Sequence, residues 1–228
     1  MILFRGSFFC FHRHKLFYTL DIEVVHMEQL TNHITLRGTL ENLPEYSHEN
    51  HGSRFYRFYL LVPRLSGTVD RLPILADETV LNSFDPTAGS MLTVKGQIRS
   101  HNQRTDGVRH LLIFVFASSI VCEDGEPIND VCLEGILCKD PTYRRTPLGR
   151  DICDVMLAVP RPFRRADYLP CILWGRTAQE ASQCRVRDRL CIQGRLQSRN
   201  YTKLLSNGTE TRTAYEISAL TAQFPEDQ

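Results

Sequence analysis

Along most of this chain apolar and polar residues alternate with a period of two, the pattern of strands that bury one face. Between residues 129 and 228 the alternation predicts five strands: Asp130 to Leu137, Ile152 to Val159, Tyr168 to Trp174, Arg189 to Arg199 and Thr213 to Ala219. Each is rich in β-branched or aromatic residues. The one good helical window, Thr177 to Cys184, falls between the third and fourth strands, and its Ala and Glu content suits a short helix. A weaker counterpart spans Leu75 to Ser90. Asn207-Gly208, between the last two strands, signals a tight hairpin, because both central positions of such a turn need positive φ. No proline stands between Pro170 and Pro225, as an unbroken ladder requires. An Asp106-Gly107 turn follows Gly96 by 11 residues, whereas Gly208 follows Gly194 by 14, so the second ribbon is expected to be the longer.

The pattern occurs twice. Leu36-Arg37-Gly38-Thr39-Leu40 returns 97 residues later as Leu133-Glu134-Gly135-Ile136-Leu137, Val62-Pro63-Arg64 as Val159-Pro160-Arg161, and Leu72-Pro73 as Leu169-Pro170. After a one-residue insertion, Val94 to Ser100 aligns with Ile192 to Ser198. A period this long is a small domain and not a solenoid repeat. The division expected is an extension over 1–26, a degenerate copy over 27–128 and a second copy over 129–228. Five short strands with a helix between the third and fourth is the plan of an OB-fold, a small Greek-key barrel that commonly binds oligonucleotides. The chain is thus expected to be all-β, two OB-folds in tandem.

The 228 residues, 42% hydrophobic and 23% charged, suffice for two such cores. The net charge of +1 is uninformative, but its distribution is not. Residues 32–128 carry 9 Lys+Arg against 11 Asp+Glu, and residues 129–228 carry 15 against 12, making the second copy the better contact for a polyanion. The eight cysteines contain no C-x-x-C and fall mostly in apolar runs, which reads as buried small hydrophobes in a reducing cytoplasm. Cys10-Phe11-His12-Arg13-His14 lacks a fourth ligand at usable spacing, so no metal is expected. Charges interrupt every apolar run of residues 1–26, which excludes a membrane span and makes a poor signal peptide. That stretch reads either as translation from an upstream start, with Met27 the true beginning, or as a functional arm.

The second copy places cations among rings. Arg195, Arg199, Lys203 and Arg212 accompany Tyr201 and Tyr215, while Arg161, Arg164, Arg165 and Arg176 surround Phe163, Tyr168 and Trp174. Single-stranded nucleic acid needs both ingredients, positive charge for phosphates and flat faces for unstacked bases. The competing reading puts Trp174 and Tyr215 inside a small barrel, the common fate of rings.

Taken in order, Asn129 to Gly135, Arg145-Thr146-Pro147-Leu148-Gly149, Leu157 to Arg161, Tyr168-Leu169-Pro170-Cys171-Ile172-Leu173-Trp174-Gly175-Arg176-Thr177-Ala178-Gln179, Ile192 to Arg199 and Arg212-Thr213-Ala214-Tyr215-Glu216 resemble the bacterial single-stranded DNA-binding protein family. The first copy resembles it only faintly, through Asn32 to Leu40 and Leu92 to Ser100. The resemblance implies an OB-fold that wraps single-stranded DNA without strong sequence preference, usually in a four-barrel assembly, working in replication, recombination or repair in the cytoplasm at the nucleoid. Tyr168, Trp174 and Tyr201 fall where the family carries stacking platforms, and Arg176, Arg195 and Arg199 fall on its basic or polar positions. With Arg161, Phe163, Lys203 and Arg212 they make up the expected DNA-binding set. A typical member ends in a flexible tail with an acidic tip that recruits repair and replication enzymes. This sequence stops at Phe224-Pro225-Glu226-Asp227-Gln228, which puts tail-mediated recruitment in question.

Two barrels per chain predict a homodimer with four, the first copy serving mainly as structural partner. The alternative is a primosome-like assembly module whose barrels mainly bind protein, favoured if the ribbon aromatics are buried at an interface. An enzyme is not expected, since no nucleophile motif, metal-spaced carboxylates or phosphate-binding glycine loop is present. No cofactor is expected either.

Overall fold

The computed structural model describes residues 32–82, 87–105, 108–205 and 208–224. The extension 1–26 with its Cys10 to His14 cluster, Met27, the Asp106-Gly107 pair, Asn207 and Pro225 to Gln228 lie outside the described residues.

The same succession of elements occurs twice. The first copy runs β1 (Asn32–Leu40), β2 (Glu45–Asn50), β3 (Ser53–Pro63), β4 (Val69–Asp77), α1 (Glu78–Leu81), β5 (Met91–Thr105) and β6 (Val108–Cys122). The second runs β7 (Ile128–Leu137), β8 (Thr142–Arg145), β9 (Asp151–Arg161), β10 (Arg165–Trp174), α2 (Arg176–Ala181), β11 (Arg189–Leu205) and β12 (Gly208–Gln223). All five strands predicted for the second copy are present, with the short β8 in addition. The helix predicted over Thr177 to Cys184 is α2, one residue earlier at its start. Of its counterpart over Leu75 to Ser90, the described residues include the single turn α1, preceded by Leu75 to Asp77, which finish β4 and bury Ala76.

Each copy closes on itself. In the first, β1 pairs with β5 along most of its length and then crosses to β3 at Thr39↔Leu61, while β4 and β6 meet in parallel at Ile74↔Val115. The second repeats this with Ile136↔Ala158 and Cys171↔Ile217. The repeated Gly38 and Gly135 sit at the crossing, where a Cβ on Gly38 would lie 2.4 Å from the Leu61 carbonyl oxygen. Alternate residues point inward: Ile34, Leu36, Phe58, Leu60, Leu72, Ile74 and their counterparts in the second copy are buried. That alternation also corrects the expectation for the cysteines. Cys153 and Cys171 are buried, but Cys132 and Cys191 take outward positions between buried neighbours, and Cys122 is exposed. Burial pushes the Cys153 thiol up to about 11.

The two barrels share one twelve-stranded sheet. β1 and β7 run antiparallel with Asn32↔Leu133, Ile34↔Val131 and Leu36↔Asn129. Ile34 and Val131 are repeat partners, so a local two-fold axis passes through their pair, and the tandem joins its copies as an isologous dimer would.

A second contact obeys the same symmetry. Asp70 on β4 is fully buried and accepts from Arg64 at 2.7 Å, from the Ser198 amide at 2.7 Å and from the Ser198 hydroxyl at 3.2 Å. Asp167 on β10, equally buried, accepts from the Ser100 amide at 2.7 Å, from Arg99 at 3.1 Å and from Arg161 at 3.3 Å. Each barrel therefore grips the long strand of its sister with one buried carboxylate. Burial, the largest influence, pulls the Arg99 guanidinium below its ordinary pKa, and Asp167 works against it.

Candidate nucleic-acid interface

β10 leads into the site. Its inward residues Leu169, Cys171 and Leu173 are buried, which turns Tyr168 and Trp174 outward at 43% and 38% exposure. Trp174 is not a core residue. Its indole N–H donates to the Ser218 hydroxyl at 3.1 Å, which holds the ring, and its main-chain carbonyl accepts from the Thr177 hydroxyl at 2.8 Å, which fixes the backbone. The chain turns sharply at Gly175, at φ 59°, and enters α2. Tyr215, in contrast, is half-buried against the core and the Tyr59 side of the first barrel. Burial first, and then Tyr59, push its phenol up to about 12.

Tyr201 stands on the ribbon of β11 and β12 at 39% exposure. The ladder continues to Leu205↔Gly208, so Gly208 belongs to β12, while Asn207 of the expected turn lies outside the described residues. β11 has 17 residues against 15 in β5, in keeping with the longer ribbon read from the sequence. Phe163, at the β9–β10 tip, is 94% exposed, and both it and Arg164 adopt positive φ, at 62° and 55°. Non-glycine residues held there carry local strain and hold this ring in solvent.

The cations divide into two groups. Arg176 and Arg199 are exposed, Arg176 paired along the helix with Glu180 and Arg199 lying 3.5 Å from Glu216. Arg195 is half-buried, and its Nε is enclosed without a hydrogen-bond partner. Arg161, however, is turned into the Asp167 clasp, and Arg212 lies 2.7 Å from Glu210, which raises its pKa. The backbone of Lys203 lies in β11, but its side chain is outside the described residues. Sequence reasoning missed Tyr143, which is 42% exposed on β8 immediately before Arg144 and Arg145, because a four-residue strand leaves too short a pattern. It also missed Asp167 and Ser218, buried polar residues whose roles lie in contacts across the sheet.

In the first copy the platforms are replaced: Arg71, Asp77 and Gln103 stand at the positions of Tyr168, Trp174 and Tyr201. Arg71 lies 3.3 Å over the Tyr59 ring and pairs with Glu41.

Two fused OB barrels, one of them with exposed rings among cations, define an all-β tandem chain with one aromatic and basic barrel. Residues 128–225 match the model of the single-strand binding protein family. Single-stranded DNA-binding protein 3 of Listeria innocua is 34% identical over 110 residues, 44% of this chain and 66% of that protein. Single-stranded DNA-binding protein 1 of Staphylococcus aureus is 41% identical over 81 residues, 32% and 48% of the respective chains. The chain thus spans less than two thirds of these relatives. The wild-type single-stranded DNA binding protein from Thermus aquaticus superposes with a TM-score of 0.71 at 24% identity, over 86% of this chain and 94% of that one, and shares the tandem fold. Among the described residues no helix is long and apolar enough to cross a membrane.

Proposed function

We propose that this chain binds single-stranded DNA without sequence specificity, in replication, recombination or repair at the nucleoid. Residues 129–228 carry most of the affinity, and residues 27–128 form the sister barrel. The observation that carries this reading is the face of the second barrel on which Tyr168, Trp174 and Tyr201 stand exposed beside Arg176, Arg195 and Arg199. Bases stack on such rings regardless of identity, and phosphates take the cations. Tyr201 is open to a base in the single chain, whereas its burial at an interface with another protein would favour the assembly-module alternative. Filter binding of single-stranded DNA, RNA and duplex tests the reading. Single-stranded DNA is expected to bind far more tightly than duplex, with a log–log salt slope of about −0.7 per phosphate neutralised. Equal affinity for duplex refutes it.

Two chains supply four barrels, and the functional unit is a two-fold homodimer. Light scattering is expected to give twice the 26.3 kDa chain mass. A mass of one chain or of four contradicts this.

A further inference from the structure

We propose that Ser100 of the first barrel is a positioning residue for single-strand binding by the second, holding the Tyr168 ring in place through its backbone; this rests on the single-strand reading above. β10 pairs with β9 from Arg165 to Trp174, but its other edge meets β12 only at Cys171 and Ile172. Ahead of Cys171 that edge carries backbone groups which the sheet of its own barrel does not use, and such groups need partners. β5 of the sister barrel supplies them. The Ser100 amide donates to the Asp167 carboxylate at 2.7 Å, and the Tyr168 amide donates to the Ser100 hydroxyl at 2.8 Å. One serine thus fixes two consecutive residues of β10, a buried carboxylate and an exposed ring.

The rings of the site differ in how they are held. Trp174 has its own anchor in the Ser218 hydroxyl. Among the described residues the phenol of Tyr168 makes no hydrogen bond, so its ring lies where the backbone at 168 directs it. Asp167 and Leu169 on either side are fully buried. Residue 168 is therefore the point at which β10 meets the sister barrel through its amide and solvent through its side chain. The repeat-related contact supplies the contrast. Arg71 stands where Tyr168 does, and its amide donates to the Ser198 hydroxyl at 3.2 Å. The Arg71 side chain, however, is fixed independently, lying 3.3 Å over the Tyr59 ring and paired with Glu41 at 2.7 Å. The same serine bridge ends in a buttressed cation on one side of the local two-fold axis and in a free-standing ring on the other. The first barrel thereby raises the affinity of its sister without touching the bound strand.

Oligo-dT is titrated against the full chain, against Ser100→Ala, Tyr168→Ala and Tyr201→Ala, and against the two double variants that combine Ser100→Ala with each tyrosine change. Trp174 fluorescence is the readout. Ser100→Ala is expected to weaken binding roughly 2- to 10-fold, on the scale of one net hydrogen bond. Because Ser100 acts through Tyr168, that loss vanishes in the Tyr168→Ala background, where the double variant binds as Tyr168→Ala does alone. In the Tyr201→Ala background the full factor remains, since those two sites are independent. A serine that merely held the barrels together would lower affinity by one factor in both backgrounds. Ser100→Cys, similar in size but a weak acceptor, replaces Ser100→Ala throughout if that variant fails to fold. Wild-type affinity in Ser100→Ala, an equal loss in both backgrounds, or wild-type affinity in Tyr168→Ala, which leaves Ser100 nothing to act through, each overturns the proposal. Failure of the wild type to bind oligo-dT sinks the parent reading itself, whereas wild-type binding with no effect of Ser100→Ala sinks only the positioning role.

Discussion

Replacing Asp167 by Ala removes one half of the reciprocal clasp, and the structure sets the size of the loss. The carboxylate is fully buried and serves Arg99 at 3.1 Å, Arg161 at 3.3 Å and the Ser100 amide at 2.7 Å, with the Ser100 hydroxyl at 3.5 Å. Truncation leaves two guanidiniums, with 16% and 29% of their side chains exposed, facing one another without a counter-charge. Breaking a buried pair in this way costs about 3–5 kcal/mol. At about 2–4 °C per kcal/mol for a chain of this size, the thermal midpoint should fall by roughly 6–20 °C. Asp70→Ala removes the other half of the clasp but frees only one guanidinium, that of Arg64, because Gln197 stands where Arg99 stands in the first half, so its loss is expected to be the smaller. A fair control is Arg144→Ala, whose pair with Asp154 is half-exposed and contributes no more than about 1 kcal/mol. Melting followed by circular dichroism decides the matter. A midpoint for Asp167→Ala within 2 °C or so of wild type, or no lower than that of Arg144→Ala, would refute the claim that the clasp holds the barrels together.

Trp174→Ala and Tyr201→Ala should each weaken oligo-dT binding by about 1–3 kcal/mol while remaining folded, and the wild-type indole should be quenched on titration; unchanged affinity in both would return the rings to a structural role. Gly194→Ala places a Cβ 2.2 Å from the Ser218 carbonyl oxygen at the β11 bulge. It should cost about 1–3 kcal/mol in urea unfolding and shift Trp174 emission through Ser218, and a neutral variant would show that the bulge yields freely. Tyr215 titrates near about 12 in place of 10.0, so its contribution is complete below pH 10 and is lost as pH rises through 12. Phenolate absorbance should show a late component that shrinks in Tyr215→Phe, and an unaltered alkaline limb in that variant would contradict the burial argument.

The sequence by itself determined the duplicated plan. Period-two alternation names the inward set on each strand, and a constant offset of 97 residues names the sister positions, so the strands, the helix of the second copy and the tandem barrels were legible. Tyr168, Trp174 and Tyr201 were named from cations and rings interleaved on predicted strands, and all three side chains stand partly exposed. The contacts between strands remote in the chain were not legible. Asp167 and Ser100 lie 67 residues apart, and Asp70 and Ser198 lie 128 apart; only packing of the two barrels brings each pair together. Tertiary structure likewise separated Trp174, held at the surface by Ser218, from Tyr215, drawn into the seam, although both are rings in apolar strands. It drew Arg161 away from solvent to neutralise a buried carboxylate, a choice that depends on where the sister barrel sits. The physical reason is the same throughout: a strand's own pattern fixes which side chains face inward, but what covers its outer face is set by the neighbour that folding brings there.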